Sequence, residues 1–188
     1  MFAKDVDTHQ YSDNIPLGTS ADCPEKGLPP QFETLRSTRL CVQRRVTVFD
    51  VAAYVISKLG PMSAMKLQKL VYYCQAWSLI WDEVPLFPER IEAWTNGPVI
   101  PDLFACHRGQ FIVEEIPVGN LDNLNSTQKE TIDAVLQFYG DKPAQWLIDL
   151  SHSEKPWQDT RKGLSEMESS NREIRLEIIV EYYSSLSR

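Results

Sequence analysis

Between Met65 and Trp81 the apolar residues fall at the three-and-four spacing of one helical face: Leu67, Leu70, Val71, Cys74, Trp77 and Trp81. Tyr73, Ala76 and Ile80 widen that stripe beyond what a single contact seam needs. So broad a stripe predicts a helix packed on most of its circumference, with the other segments arranged around it. Lys66, Gln68, Lys69 and Gln75 are its polar interruptions.

Upstream, Thr47 and Asp50 have the spacing of an N-cap with a compensating acid. Val48, Val51, Ala52, Val55 and Leu59 then form a second helical stripe, stopped by Gly60 and Pro61. Ser63 is placed to cap the central helix, so the two helices should form a hairpin. Residues 82–89 read as a loop stiffened by Pro85 and Pro88. Ile91 to Trp94 is short enough to favour a strand, and Asn96-Gly97-Pro98 is a turn in which glycine permits positive φ. Pro101 and Asp102 suit the first turn of a helix that ends at Gly109.

Phe111 to Val118 reads as a strand with Phe111, Val113 and Ile116 inward, pairing with residues 91–95. A helix started by Asn125, Ser126 or Thr127 buries Ile132, Val135, Leu136 and Tyr139 and ends at Gly140. Asp141 caps a shorter helix with Ala144, Leu147 and Leu150 inward, residues 151–157 form an irregular junction, and a last helix from about Asn171 uses Ile174, Ile178 and Tyr182. The fold class is therefore mainly α: a compact helical domain around a central buried helix, with a small β element.

Composition divides the chain in two. Residues 1–45 contain Pro16, Pro24, Pro29 and Pro30 among polar residues with no lasting periodicity, which predicts a disordered or loosely packed extension. The pattern starts abruptly near Val46, so the extension is also readable as an over-long gene start, valine being a residue that alternative bacterial start codons encode. Residues 46–188 form the domain. They carry 20 acidic and 13 basic residues, which supply the whole net charge of −7. That balance argues against nucleic-acid binding by the body, because duplex binding needs clustered cations. Arg36, Arg39, Arg44 and Arg45 are read as a solvated basic linker rather than a nucleic-acid arm. The first ten residues lack an apolar leader, no apolar run is long enough to span a membrane, and four scattered cysteines fit a reducing cytoplasm.

Candidate chemistry is sparse. His9, His107 and His152 make no ligand pattern, so no metal is expected. Ser151, His152, Ser153 and Glu154 lack a strained serine elbow, and no glycine-rich phosphate loop is present, so neither catalysis nor a cofactor is expected.

The ordered blocks VFDVAAYVI, KLQKLVYYCQAW, IEAWTNGPVIPDLF and HSEKPW resemble the Panacea domain, also described as SocA-like or phage-associated. The resemblance spans about residues 46–160. It implies a mainly helical cytoplasmic antitoxin of a toxin–antitoxin system, which binds and neutralises a toxin encoded beside it. The alternative it implies is an adaptor that delivers the toxin to a cytosolic ATP-dependent protease. The matching residues are Leu67, Gln68, Lys69, Leu70, Tyr72 and Tyr73, then Ala93, Trp94, Gly97, Pro98 and Val99, then His152, Pro156 and Trp157. Asn96 stands where the family usually has an aromatic or small residue.

For partner binding the candidates are Lys66, Gln68, Lys69, Tyr72, Trp94, Asn96, His152 and Trp157. Five of them also have an internal reading. Gln68 can bond the 93–99 turn, Lys69 can snorkel, Trp94 and Trp157 can be core, and His152 can be a hydrogen-bonded structural residue. Tyr72 lies off the main stripe and reads as an exposed contact.

Overall fold

The computed structural model describes residues 45–165 and 167–186. The extension expected over residues 1–45 lies outside the described residues, apart from exposed Arg45. Among the described residues no helix is long and apolar enough to cross a membrane.

Helix α1, Val48–Leu59, starts at a cap in which the acid does the bonding: the Thr47 amide and hydroxyl donate to Asp50 Oδ2 at 2.8 and 2.9 Å. Gly60 ends it at φ 77°. A two-residue strand β1, Met62–Ser63, leads directly into α2, Ala64–Trp81, whose Lys66 amide donates to Ser63 Oγ at 3.3 Å. Every residue from Leu67 to Ser78 is buried, polar ones included. A helix buried on all faces must be the centre of the packing. Its neighbours are α1, α4 (Ser126–Tyr139), α5 (Ala144–Ser153) and α7 (Leu176–Leu186). Gln75 shows how polar groups are accommodated inside: its Oε1 accepts the Leu86 and Phe87 amides at 2.9 and 3.1 Å, and its Nε2 donates to the Phe87 carbonyl at 3.0 Å. The proline loop is thereby clamped to α2.

Strands β2, Glu92–Trp94, and β3, Gly97–Val99, form an antiparallel hairpin closed by Thr95 and Asn96. Gly97, at φ 96°, takes the left-handed conformation. Helix α3, Pro101–Cys106, follows with proline in its first turn, and β4, Ile112–Val113, pairs with β1.

Several expectations are corrected. The 111–118 segment forms only two residues of strand, and they pair with Met62–Ser63 instead of 91–95, because the 91–95 edge is taken by Gly97–Val99. Phe111 is exposed, while Val113 and Ile116 are buried. Leu59 lies at the helix end and is 40% exposed. Pro143, not Asp141, occupies the cap position of α5. The 151–157 junction is not irregular: α5 runs to Ser153 and α6, Lys155–Thr160, starts after the single extended residue Glu154. Residues 171–175 are extended, with the Ile174 amide donating to the Ile91 carbonyl at 2.8 Å, so α7 begins later than the periodicity suggests. Its buried face is Ile179 and Tyr183 rather than Ile178 and Tyr182.

Candidate functional site

A hairpin of three-residue strands cannot hold itself together in water, and its outer backbone groups need partners. Here side chains supply them. From α2, Lys69 Nζ donates to the Pro98 carbonyl at 2.9 Å. Gln68 Oε1 accepts the Ile100 amide at 2.9 Å, and its Nε2 lies 3.5 Å from the Ile100 carbonyl and 3.0 Å from His107 Nε2. From α6, Trp157 Nε1 donates to the Trp94 carbonyl at 2.8 Å, and Arg161, just after that helix, donates to the Ala93 carbonyl at 3.0 Å. The Ala93 amide donates to the Arg172 carbonyl at 2.9 Å. Three separate stretches of chain thus pin one hairpin.

The glycine of this hairpin is required twice over. Besides its positive φ, a Cβ at Gly97 would sit 2.7 Å from Ser151 Oγ and 2.8 Å from Lys69 Cε. The lysine amine is packed directly beneath it. Burial pushes that amine down to about 7, because a charge is costly to keep away from water.

On the outer side, an open cleft of about 570 Å³ runs along the hairpin. Trp94 and Phe104 meet edge to face in its wall, with ring centroids 5.0 Å apart. Gln68, Glu92 and buried His107 reach its floor, and Asn96 and Ser170 line it. Trp94 Nε1 donates to Glu92 Oε2 at 2.7 Å, and the Arg90 guanidinium lies 2.8 Å from Glu92 Oε1. Burial also lowers the His107 pKa, which favours the neutral ring.

Of the eight residues singled out from the sequence, six gather at this hairpin. Gln68 and Lys69 are buried pins, and Trp157 is a half-buried one. His152 stacks on Trp157 with centroids 4.1 Å apart. Trp94 and Asn96 face the cleft. Two lie elsewhere. Lys66 Nζ donates to the Gly140 carbonyl at 2.7 Å, closing the C-terminus of α4, where a cation suits the helix dipole. Tyr72 is fully buried, which corrects its reading as an exposed contact. A helix with no free face leaves no off-stripe position exposed.

Tyr72 belongs to a second buried cluster. Glu154 Oε2 accepts the Tyr183 hydroxyl at 2.8 Å and lies 3.5 Å from that of Tyr73. Tyr73 stacks on Tyr139 at 4.3 Å. The Tyr72 hydroxyl lies near Tyr183 without a well-formed bond in this geometry. Burial raises Glu154 to about 7, against the opposing effect of the two tyrosine hydroxyls. The sequence reading missed Glu154, Tyr183, Arg161, Glu92 and Phe104 as site-forming residues. Glu154 and Arg161 flank the Pro-Trp pair, and that proximity was the available signal. No three potential metal ligands converge among the described residues.

Residues 67–158 match the family model described as antitoxin SocA-like, Panacea domain. That segment contains most of α2, the hairpin, α5 and the first turn of α6, and so includes Gln68, Lys69 and Trp157 but not Arg161. Neither the curated proteins nor the solved structures include a match to the chain.

Proposed function

We propose that the chain, whose residues 67–158 match the SocA-like antitoxin, Panacea domain model, neutralises a toxin encoded beside it by direct protein–protein binding, in the cytoplasm and without catalysing a reaction. One observation supports this most. The buried motif side chain Lys69 and the buried Arg161 bond to the hairpin backbone, and the motif residue Gln68 bonds to Ile100 just beyond it, while the cleft beside Trp94 and Asn96 stays open. The interior then maintains a shape, and the exterior is available to a partner. Open, largely apolar clefts with a few fixed polar groups are where ligands and partner side chains seat. Nanomolar capture requires ~12 kcal/mol, which a few buried aromatic anchors can dominate.

The test is coexpression with the product of the adjacent reading frame. Growth rescue with co-purification of the two chains is the expected result. Rescue without a complex, accompanied by protease-dependent loss of the toxin, would replace neutralisation with delivery to a protease.

A further inference from the structure

Away from the hairpin, the segment following α3 displays apolar side chains that the fold does not use. Phe111 is 81% exposed, Ile112 45% and Val118 65%. A mobile loop would make such exposure uninformative, but this one is pinned. Ile116 is buried beneath it, and the Gly119 amide donates to the Ile116 carbonyl at 3.0 Å. Gly119 is pressed so close to α1 that a Cβ would lie 2.3 Å from the Phe49 carbonyl oxygen. The Asn120 amide donates to Asp50 Oδ1 at 2.7 Å. Val118 is therefore held outward by a fixed turn.

Ile112, Pro117 and Val118 share a groove of about 490 Å³ with Glu114 and Glu115. Both glutamates are exposed, neither enters an ion pair among the described residues, and no lysine or arginine lines the groove. Among the described residues strand β4 is also an edge, since its sheet has two strands.

We propose that this groove is a docking surface for a basic, amphipathic segment of the partner protein, with lysine or arginine opposite Glu114 and Glu115 and an apolar side chain seated between Ile112 and Val118. The proposal rests on the reading of the chain as a toxin-binding protein and adds where, and through what chemistry, the partner is held. Charge complementarity selects the occupant. A second copy docking through the same face would bring four unpaired glutamates together, and like charges in contact disfavour that arrangement. The open edge of β4 suits an extended segment, which could add its own backbone hydrogen bonds.

The experiment uses the full chain in two arms. In the first, affinity for the adjacent frame's product is measured for the wild type, for Val118→Ser and for the double variant Glu114→Lys with Glu115→Lys. The expected losses are about tenfold for the serine and more for the charge reversal, with unchanged melting temperature and a much weaker salt dependence in the reversed protein. Affinities within about twofold of wild type would overturn the proposal. In the second arm, the peptides acetyl-KVKVK-amide and acetyl-EVEVE-amide are titrated while the Ile112 and Val118 methyl resonances are followed. Shifts with the basic peptide alone support the groove, and equal or absent shifts with both overturn it. Were the wild type to form no complex yet bind the basic peptide here, the toxin reading would fall and the basic-segment site would stand. Concentration-dependent dimerisation abolished by Val118→Ser would assign the face to a second copy and overturn the proposal.

Discussion

The hairpin end and the α7 end of the domain each bury an ionisable side chain whose pKa is driven to about 7, and they treat it in opposite ways. Beneath the hairpin, Lys69 is driven down to about 7 and meets one carbonyl at 2.9 Å. Beneath α7, Glu154 is driven up to about 7 and is approached by two tyrosine hydroxyls. Burial is the leading cause in both cases. The difference is in what each charge organises. The lysine joins α2 to the carbonyl of a tight turn between two three-residue strands. The carboxylate joins the α5–α6 break to a helix already docked by Ile179 and Tyr183. At one end the polar bonds hold a turn of backbone, and at the other they add to the apolar contact of a helix.

The sharpest way to break the hairpin end is Gly97→Ala, which meets Ser151 and Lys69 and strains a positive φ; a loss of about 3 to 4 kcal/mol is expected in chemical denaturation. The pH profile separates the two ends next. Between pH 4.5 and about 7 the folded chain keeps a proton on Glu154 that the unfolded chain has released, so stability falls as pH rises across that window. The fall should amount to about 3 kcal/mol and should vanish in Glu154→Gln. Above about 7 the sign reverses. The unfolded chain holds a proton on Lys69, up to 10.5, that the folded chain has shed, so stability climbs with pH. The climb should be roughly 2 to 3 kcal/mol by about pH 9 and should be absent in Lys69→Met, whatever constant offset the lost Pro98 bond adds. A profile without a trough near neutrality would show that the two ends do not differ in this way. Tyr183→Phe, which removes the shorter donor to Glu154, should cost about 1 to 2 kcal/mol above neutrality and less once the carboxyl is protonated. Lys66→Ala should cost under about 1 kcal/mol, because it loses only a half-exposed bond at the end of α4.

The contrast also explains what the sequence made legible. Helices α1, α2 and α4 were readable because their apolar stripes and caps are local signals; Thr47–Asp50, Ser63 and Asn125 all perform the capping roles their spacing suggests. The turn was readable from Gly97 and Pro98, but the strand pairing across it was not, since residues 91–95 were expected against 111–118. The pairing of β4 with β1 was not, since two-residue strands have too few side chains to show a period or a register. At the site, the internal reading of Gln68 matches its bonds to Ile100. Tyr72 failed for a physical reason: exposure was inferred from one helix's stripe, whereas it depends on how many neighbours cover that helix. Glu154 and Arg161 were missed as structural partners, despite standing near the Pro-Trp pair, because charged residues are expected at the surface.

Glu154 is also the only residue between α5 and α6. A helix advances by roughly 100° per residue, so adding or deleting one position at that joint would turn the following helix by more than a quarter of its circumference. Trp157 and Arg161 would swing away from the carbonyls they reach, although no side chain had been altered. Evolution can exchange residue types along this stretch more readily than it can alter the count between them. A one-residue insertion after Glu154 should therefore loosen the distant turn around Asn96 while leaving the α1–α2 pair intact, a pattern amide exchange would resolve.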